Sequence, residues 1–102
     1  MKTDHVYILK CADASFYIGV TKDVTSRFSQ HQSGTTRGYT YSRRPLELVW
    51  DSGEKLILDA IALEKQLKGW RRDKKIALIE GRWEDLPDLA QPYWKRLKEN
   101  RS

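Results

Sequence analysis

The sequence predicts an α+β fold, and three observations predict it. Two short runs rich in β-branched and aromatic residues, Val6–Cys11 and Phe16–Thr21, are separated by a turn-like Ala12-Asp13-Ala14. A segment from Asp23 to Gly34 carries helix start and stop signals at its two ends. The longest helical pattern, Ile57–Trp70, follows a third strand-like run, Leu46–Trp50. With 102 residues, 39% of them hydrophobic, and four tryptophans, the chain has the length of one domain and the means to build one core.

The first two runs read as a β-hairpin. A three-residue connection makes paired residues sum to 26, so Leu9 faces Tyr17 and Tyr7 faces Gly19. Side chains alternate along strands, which places Tyr7 and Tyr17 on one face. A loop one residue longer or shorter would undo that parity. Gly19 weakens a strand by propensity; it marks either a bulge or a place of close approach, and opposite Tyr7 it would leave room above the hydroxyl.

Asp23 is a suitable N-cap and Gly34 a suitable C-terminal stop for the helix between them. Val24 and Phe28 form its buried stripe, with Arg27 and His31 beside it. Those two are i, i+4 neighbours, so their heads can converge on one object. From Gly34 to Arg44 a mobile basic loop is expected, with Arg37, Arg43 and Arg44 interleaved with Tyr39 and Tyr41. Such a loop can stack on bases and meet phosphates, or simply be solvated. After Pro45, Leu46–Trp50 alternates as a third strand.

In Ile57–Trp70, an arc of roughly 160° contains Leu63, Leu67, Ala60, Ile57 and Ile61. Glu64 falls inside that arc. A carboxylate on a buried face is costly unless compensated, either by an ion pair with an arginine such as Arg27 or by a bound divalent cation. Lys68, Arg71, Arg72, Lys74 and Lys75 then place five cations in eight residues. Ile76–Ile79 reads as a third helix stopped by Gly81. Trp83, Leu86 and Leu89 are spaced to dock on the domain, and Pro92 can open a last helix, Tyr93–Asn100, with Trp94 and Leu97 on its apolar face.

The charge balance, nineteen Lys+Arg against fourteen Asp+Glu for a net +5, suits a polyanionic partner. One cysteine and two histidines exclude an intramolecular disulfide and a zinc-finger ligand set. No run approaches the ~18 apolar residues of a membrane span, and no signal peptide is visible at the start, so the expected compartment is the cytoplasm. Neither a Gly-rich phosphate loop nor a nucleophile elbow is present.

Taken in order, these pieces resemble the GIY-YIG nucleases, specifically their small single-domain bacterial members. The resemblance rests on Val6-Tyr7-Ile8-Leu9, Tyr17-Ile18-Gly19, Thr21, Asp23, Arg27-x-x-x-His31, Tyr39-Thr40 with Arg43-Arg44-Pro45, Glu64 with Leu67-Lys68, and Trp70 with Lys75–Ile79. His5-Val6 stands where that family has glycine and isoleucine before its first tyrosine, and Gly38 stands where many small relatives carry lysine.

The resemblance implies a small three-stranded antiparallel β-sheet flanked by α-helices, forming a nuclease-like domain over 1–80, with a C-terminal helical extension over 81–102 docked on it. It implies metal-dependent hydrolysis of phosphodiester bonds in DNA, branched, damaged or single-stranded forms included. By the same resemblance Tyr7 deprotonates or orients the attacking water and Tyr17 lies beside it near the scissile phosphate. Arg27 stabilises charge on the phosphate, His31 supports by acid/base action or hydrogen bonding, and Glu64 is the protein ligand of one divalent ion, Mg²⁺ or Mn²⁺. Arg37, Arg43, Arg44, Lys68, Arg71 and Arg72 are the candidate nucleic-acid contacts. A tyrosine with its ordinary pKa near 10 is a poor base at neutral pH, so Tyr7 either has its pKa lowered by neighbours such as Arg27, Lys10 or the metal, or only positions water. Two other readings stay open: a nucleic-acid-binding module with the nuclease fold but little cleavage, and an adaptor whose basic face meets an acidic protein.

Overall fold

A computed structural model describes residues 2–82 and Leu86. Strands β1 (Thr3–Lys10), β2 (Phe16–Thr21) and β3 (Glu47–Leu56) form an antiparallel sheet in the order β2-β1-β3. Three helices accompany them: α1 (Val24–Ser33) between β2 and β3, then α2 (Ile57–Lys68) and α3 (Arg72–Ile79).

The central strand explains its own composition. Val6, Ile8 and Leu9 are 0% exposed and Tyr7 1%, because β1 is covered on both faces and so reads as a continuous apolar run instead of an alternating one. Val6 and Ile8 point to one side, where Ile18 joins Ala60, Leu63 and Leu67 of α2 and Leu78 of α3. Tyr7 and Leu9 point to the other, against Cys11, Val24 of α1 and Leu46. The sheet therefore separates two apolar clusters, and the tyrosine-bearing face is the α1 face.

The hairpin has the expected register, with Tyr7 opposite Gly19 and Leu9 opposite Tyr17. Its turn closes through Cys11 N–H to Ser15 O at 2.8 Å and Ala14 N–H to Cys11 O at 2.9 Å. Ala14 takes φ 70° there, a left-handed conformation that costs a residue with a Cβ roughly 1–2 kcal/mol. Asp13 helps hold it: its Oδ1 accepts from the Ser15 hydroxyl at 2.6 Å and the Ser15 amide at 3.0 Å. Those bonds keep the Asp13 carboxyl below its ordinary pKa.

Several boundaries differ from the sequence reading. β1 begins at Thr3 and β3 runs to Leu56, six residues beyond Trp50. The polar Asp51-Ser52-Gly53 stretch reads as a turn in isolation, but the start of β1 offers it a partner. Near the irregular pairing there, side chains supplement the ladder: the Val6 amide donates to Ser52 Oγ at 2.9 Å, and Gly53 N–H donates to Asp51 Oδ1 at 2.8 Å. Helix α2 ends at Lys68 with Gly69 as its cap, and α3 starts at Arg72 ahead of the apolar Ile76–Ile79. In α2, Ile57 is half-buried and Ile61 is 39% exposed, so the buried seam narrows to Ala60, Leu63 and Leu67.

Beyond α3, Leu86 is buried, 3% exposed. Trp83, Leu89 and the helix expected over Tyr93–Asn100 lie outside the described residues. Among the described residues no helix is long and apolar enough to cross a membrane.

Candidate active site

Side chains from the hairpin, α1 and the loop after α1 meet on the α1 face of the sheet. The Tyr7 and Tyr17 ring centroids are 6.3 Å apart. A Cβ built on Gly19 would lie 2.5 Å from the Tyr7 hydroxyl and 2.7 Å from its ring carbon Cζ. Gly19 is therefore a place of close approach: its missing side chain makes the space into which Tyr7 extends.

Helix α1 delivers the next residue. Asp23 caps its start by accepting from the Ser26 amide at 3.0 Å, and Gly34 ends it at φ 81°. His31 follows Val24 by seven residues, so two helical turns place it on the buried stripe itself, where the sequence reading put it beside the stripe. It is 1% exposed. Its Nε2 lies 3.0 Å from the Tyr7 hydroxyl and its Nδ1 2.9 Å from the hydroxyl of Thr40, another residue 1% exposed. Tyr17 meets the imidazole edge-on at 5.1 Å and stacks with Tyr39 at 6.3 Å. Of the two phenol residues, Tyr17 is the one partly open to solvent.

Arg27 and Glu64 are near enough for their charges to act on the Tyr7 phenol. Burial is the main reason the Tyr7 phenol is pushed well above its ordinary pKa. The Tyr17 and Glu64 charges act in the same direction and Arg27 opposes them. His31 is held below its ordinary pKa by burial and then by the Arg27 guanidinium. The result is a protonated phenol bonded to a neutral imidazole at neutral pH. Arg27 is half-buried and lines a cavity of about 410 Å³ with Asp4, Thr21, Lys22, Asp23, Ser26 and Gln30. Within that lining, Asp4 Oδ1 is buried with no hydrogen-bond partner among the described residues.

Glu64 does not pair with Arg27. Its Oε2 lies 3.3 Å from Lys68 Nζ one turn along α2, and its side chain is 23% exposed. An exposed lysine holds a carboxylate weakly, so this oxygen pair can be given up to another cation. The donor set suits Mg²⁺ or Mn²⁺: a small hard cation accepts one or two carboxylates and completes its shell with water and phosphate oxygens. Among the described residues no group of three or more His, Cys, Asp or Glu could hold a metal ion.

The basic residues divide by what already occupies them. Arg43 lies over the Tyr39 ring at 3.8 Å, donates to Asp13 Oδ2 at 3.1 Å and donates to the Tyr39 carbonyl at 2.7 Å. Arg44 donates to the Tyr41 carbonyl at 2.9 Å and lies 4.8 Å over the same tyrosine's ring, which Arg37 covers at 4.6 Å. The expected mobile loop is thus a segment tied together by arginine–tyrosine stacking, with a short 3-10 turn at Tyr41–Arg43. Arg72 donates to the Ala14 carbonyl at 2.6 Å and covers Phe16 at 4.7 Å. Lys68 rests on Glu64, while Arg37 and Arg71 are exposed.

Thr40 and Asp4 were not among the sequence candidates. Thr40 sits in the Tyr39-Thr40 pair and carries a faint signal, a hydroxyl between two aromatics. Asp4, at the start of a strand, carries none.

A hairpin bearing two tyrosines, an Arg-x-x-x-His helix and a later helix with one inward carboxylate define a class of protein, and comparison with known families agrees: residues 4–77 match the GIY-YIG catalytic domain. The chain belongs to the GIY-YIG nuclease family. Within it, the chain is similar to small UPF0213 proteins. Those of Staphylococcus aureus strains N315 and Mu50 are each 39% identical over 82 residues, covering 80% of this chain and 100% of theirs. A solution NMR structure of a UPF0213 protein from Bacillus halodurans is 38% identical, covers 78% of this chain and 84% of that one, and superposes with a TM-score of 0.47.

Proposed function

We propose that this protein is a metal-dependent endonuclease that hydrolyses phosphodiester bonds in DNA, structured or damaged DNA included. The observation that carries the reading is the grouping around Tyr7: an imidazole bonded to its hydroxyl, with Tyr17, the Arg27 guanidinium and the Glu64 carboxylate acting on the same phenol. A passive binding surface has no use for an inward carboxylate, which would repel phosphate unless a cation intervened.

Hydrolysis requires a water oxygen to bond phosphorus while the bond to one ester oxygen breaks and that oxygen gains a proton. Arg27 presents a planar fork to the nonbridging oxygens, where charge accumulates in the transition state. Tyr17, partly open to solvent, contacts the phosphate from the adjacent position. Tyr7 is protonated at neutral pH and acts by holding water or phosphate through its hydroxyl, the second of the two roles the sequence left open. Glu64 would hold a single Mg²⁺ or Mn²⁺, which when bound supplies Lewis-acid stabilisation of the leaving oxygen. Arg37, Arg71 and, once released from Glu64, Lys68 would meet neighbouring phosphates.

The test is to incubate wild type and Glu64→Ala with supercoiled plasmid and branched oligonucleotides, with Mn²⁺ or Mg²⁺ and with chelator. Nicking that depends on the metal and is lost in Glu64→Ala, while DNA binding survives, is the expected result. Salt-sensitive binding by wild type without nicks under either metal overturns the enzyme reading.

A further inference from the structure

Tyr17 is the phenol of the site that reaches solvent, and its orientation rests on ring packing alone. Among the described residues its hydroxyl makes no hydrogen bond. What holds the ring is Tyr7 at 6.3 Å, the His31 imidazole at 5.1 Å and Tyr39 at 6.3 Å. Tyr7 and His31 are each 1% exposed, so close packing fixes them in place. Tyr39 is different: it stands on the loop between α1 and β3 and is 44% exposed. Its ring, inclined 26° to that of Tyr17, is the one wall around Tyr17 that burial does not fix.

Arg43 fixes it instead. The Arg43 guanidinium lies 3.8 Å from the centre of the Tyr39 ring, and its Nη1 donates to the Tyr39 carbonyl at 2.7 Å. Arg43 is in turn bound twice to the turn between β1 and β2. Its Nε donates to Asp13 Oδ2 at 3.1 Å, and its carbonyl accepts from the Ala12 amide at 2.8 Å. A guanidinium so near the ring centre covers that face of Tyr39, leaving no room there for a base to stack. The Asp13 carboxylate offsets its charge, which disfavours Arg43 as a phosphate contact. A continuous line of contacts, Asp13 to Arg43 to Tyr39 to Tyr17, therefore runs from the hairpin turn to the second strand of the same hairpin.

We infer that Tyr39 and Arg43 are positioning residues for Tyr17: Arg43, anchored on the hairpin turn, pins the Tyr39 ring, and that ring sets the direction of the Tyr17 phenol. Arg43, a nucleic-acid contact by the sequence reading, acts through Tyr39 and not through phosphate. The Tyr39 hydroxyl makes no hydrogen bond among the described residues, so its ring is the part that counts. The kinetic consequence rests on the nuclease reading above, which puts Tyr17 against the phosphate; the line of contacts does not.

Aromatic ¹H–¹³C spectra of the five tyrosines, with Tyr17→Phe to identify Tyr17, read its ring directly. The Tyr17 signals are expected to shift in Arg43→Ala and in Arg43→Lys, which keeps the charge and loses the planar group, although neither change touches Tyr17. In Tyr39→Phe they are expected to stay near their wild-type positions. In the plasmid assay Arg43→Ala and Tyr39→Leu are expected to lower kcat roughly two- to ten-fold, the worth of one aromatic pair. KM and the salt dependence of DNA binding are kept, and Tyr39→Phe retains the rate. Unmoved Tyr17 signals in both Arg43 variants overturn the proposal. So does a salt slope reduced by about 1 in Arg43→Ala, which makes Arg43 a phosphate contact. If Arg43→Ala unfolds, seen as collapsed spectral dispersion, Arg43→Lys carries both measurements. If wild type nicks no DNA, the ring spectra still decide Tyr39 and Arg43, and only the nuclease reading falls.

Discussion

Gly19 and Tyr7 face each other across the hairpin as a matched pair, the one supplying the space that the other fills. Replacing Gly19 with Ala puts a Cβ 2.5 Å from the Tyr7 hydroxyl, and the buried ring has little freedom to retreat. A loss of about 1–3 kcal/mol is expected, as for other overpacked core sites, together with rupture of the Tyr7–His31 bond. Urea unfolding and ¹⁵N–¹H spectra of the His31 ring measure the two; wild-type values for both would mean that the ring moves aside at no cost. This pair was legible from the sequence because strand register is arithmetic once the loop length is known. The His31–Thr40 bond was not, because it joins a helix to a loop whose path depends on what its arginines grip.

At the scale of elements, neighbouring cations at the start of α3 do different work. Arg72 is bonded to the hairpin turn and covers Phe16, so it ties α3 to the β1–β2 connection; Arg71 only precedes the helix, exposed. Arg72→Ala is therefore expected to lower stability by about 1–2 kcal/mol. Arg71→Ala should leave stability within about 0.5 kcal/mol, weaken DNA binding regardless of sequence, and reduce the slope of log K against log salt by about 1. Parallel unfolding and salt-titrated binding measurements separate the two; equal effects of both variants on binding would mean that Arg72 leaves the turn to meet phosphate. A run of five cations looks uniform in the sequence, since charge alone does not say which guanidinium finds a carbonyl.

For the molecule as a whole, a neutral buried imidazole makes stability depend on pH. Burial and Arg27 hold His31 below its ordinary pKa in the folded state. In the unfolded chain it takes up a proton as pH falls through about 6.5, while the folded protein resists. The unfolded state then binds more protons, so stability rises with pH across this window and falls as pH drops from about 7 toward 5. The expected outcome is a Tm that declines over that range in wild type and declines less steeply in His31→Gln; matching slopes would mean that His31 charges as easily folded as unfolded.

What the sequence determined by itself was the local order: an apolar central strand, a hairpin whose parity puts both tyrosines on one face, a capped helix with arginine and histidine one turn apart, and a carboxylate out of place on an apolar arc. These follow from periodicity and steric rules acting over a few residues. Only the tertiary structure decided that the carboxylate pairs with Lys68, that the basic loop is stitched by its own tyrosines, that β3 extends through a polar stretch, and that Thr40 closes the far side of His31. Each of those depends on which distant group arrives within hydrogen-bonding reach, and that is set by how the helices pack on the two faces of the sheet.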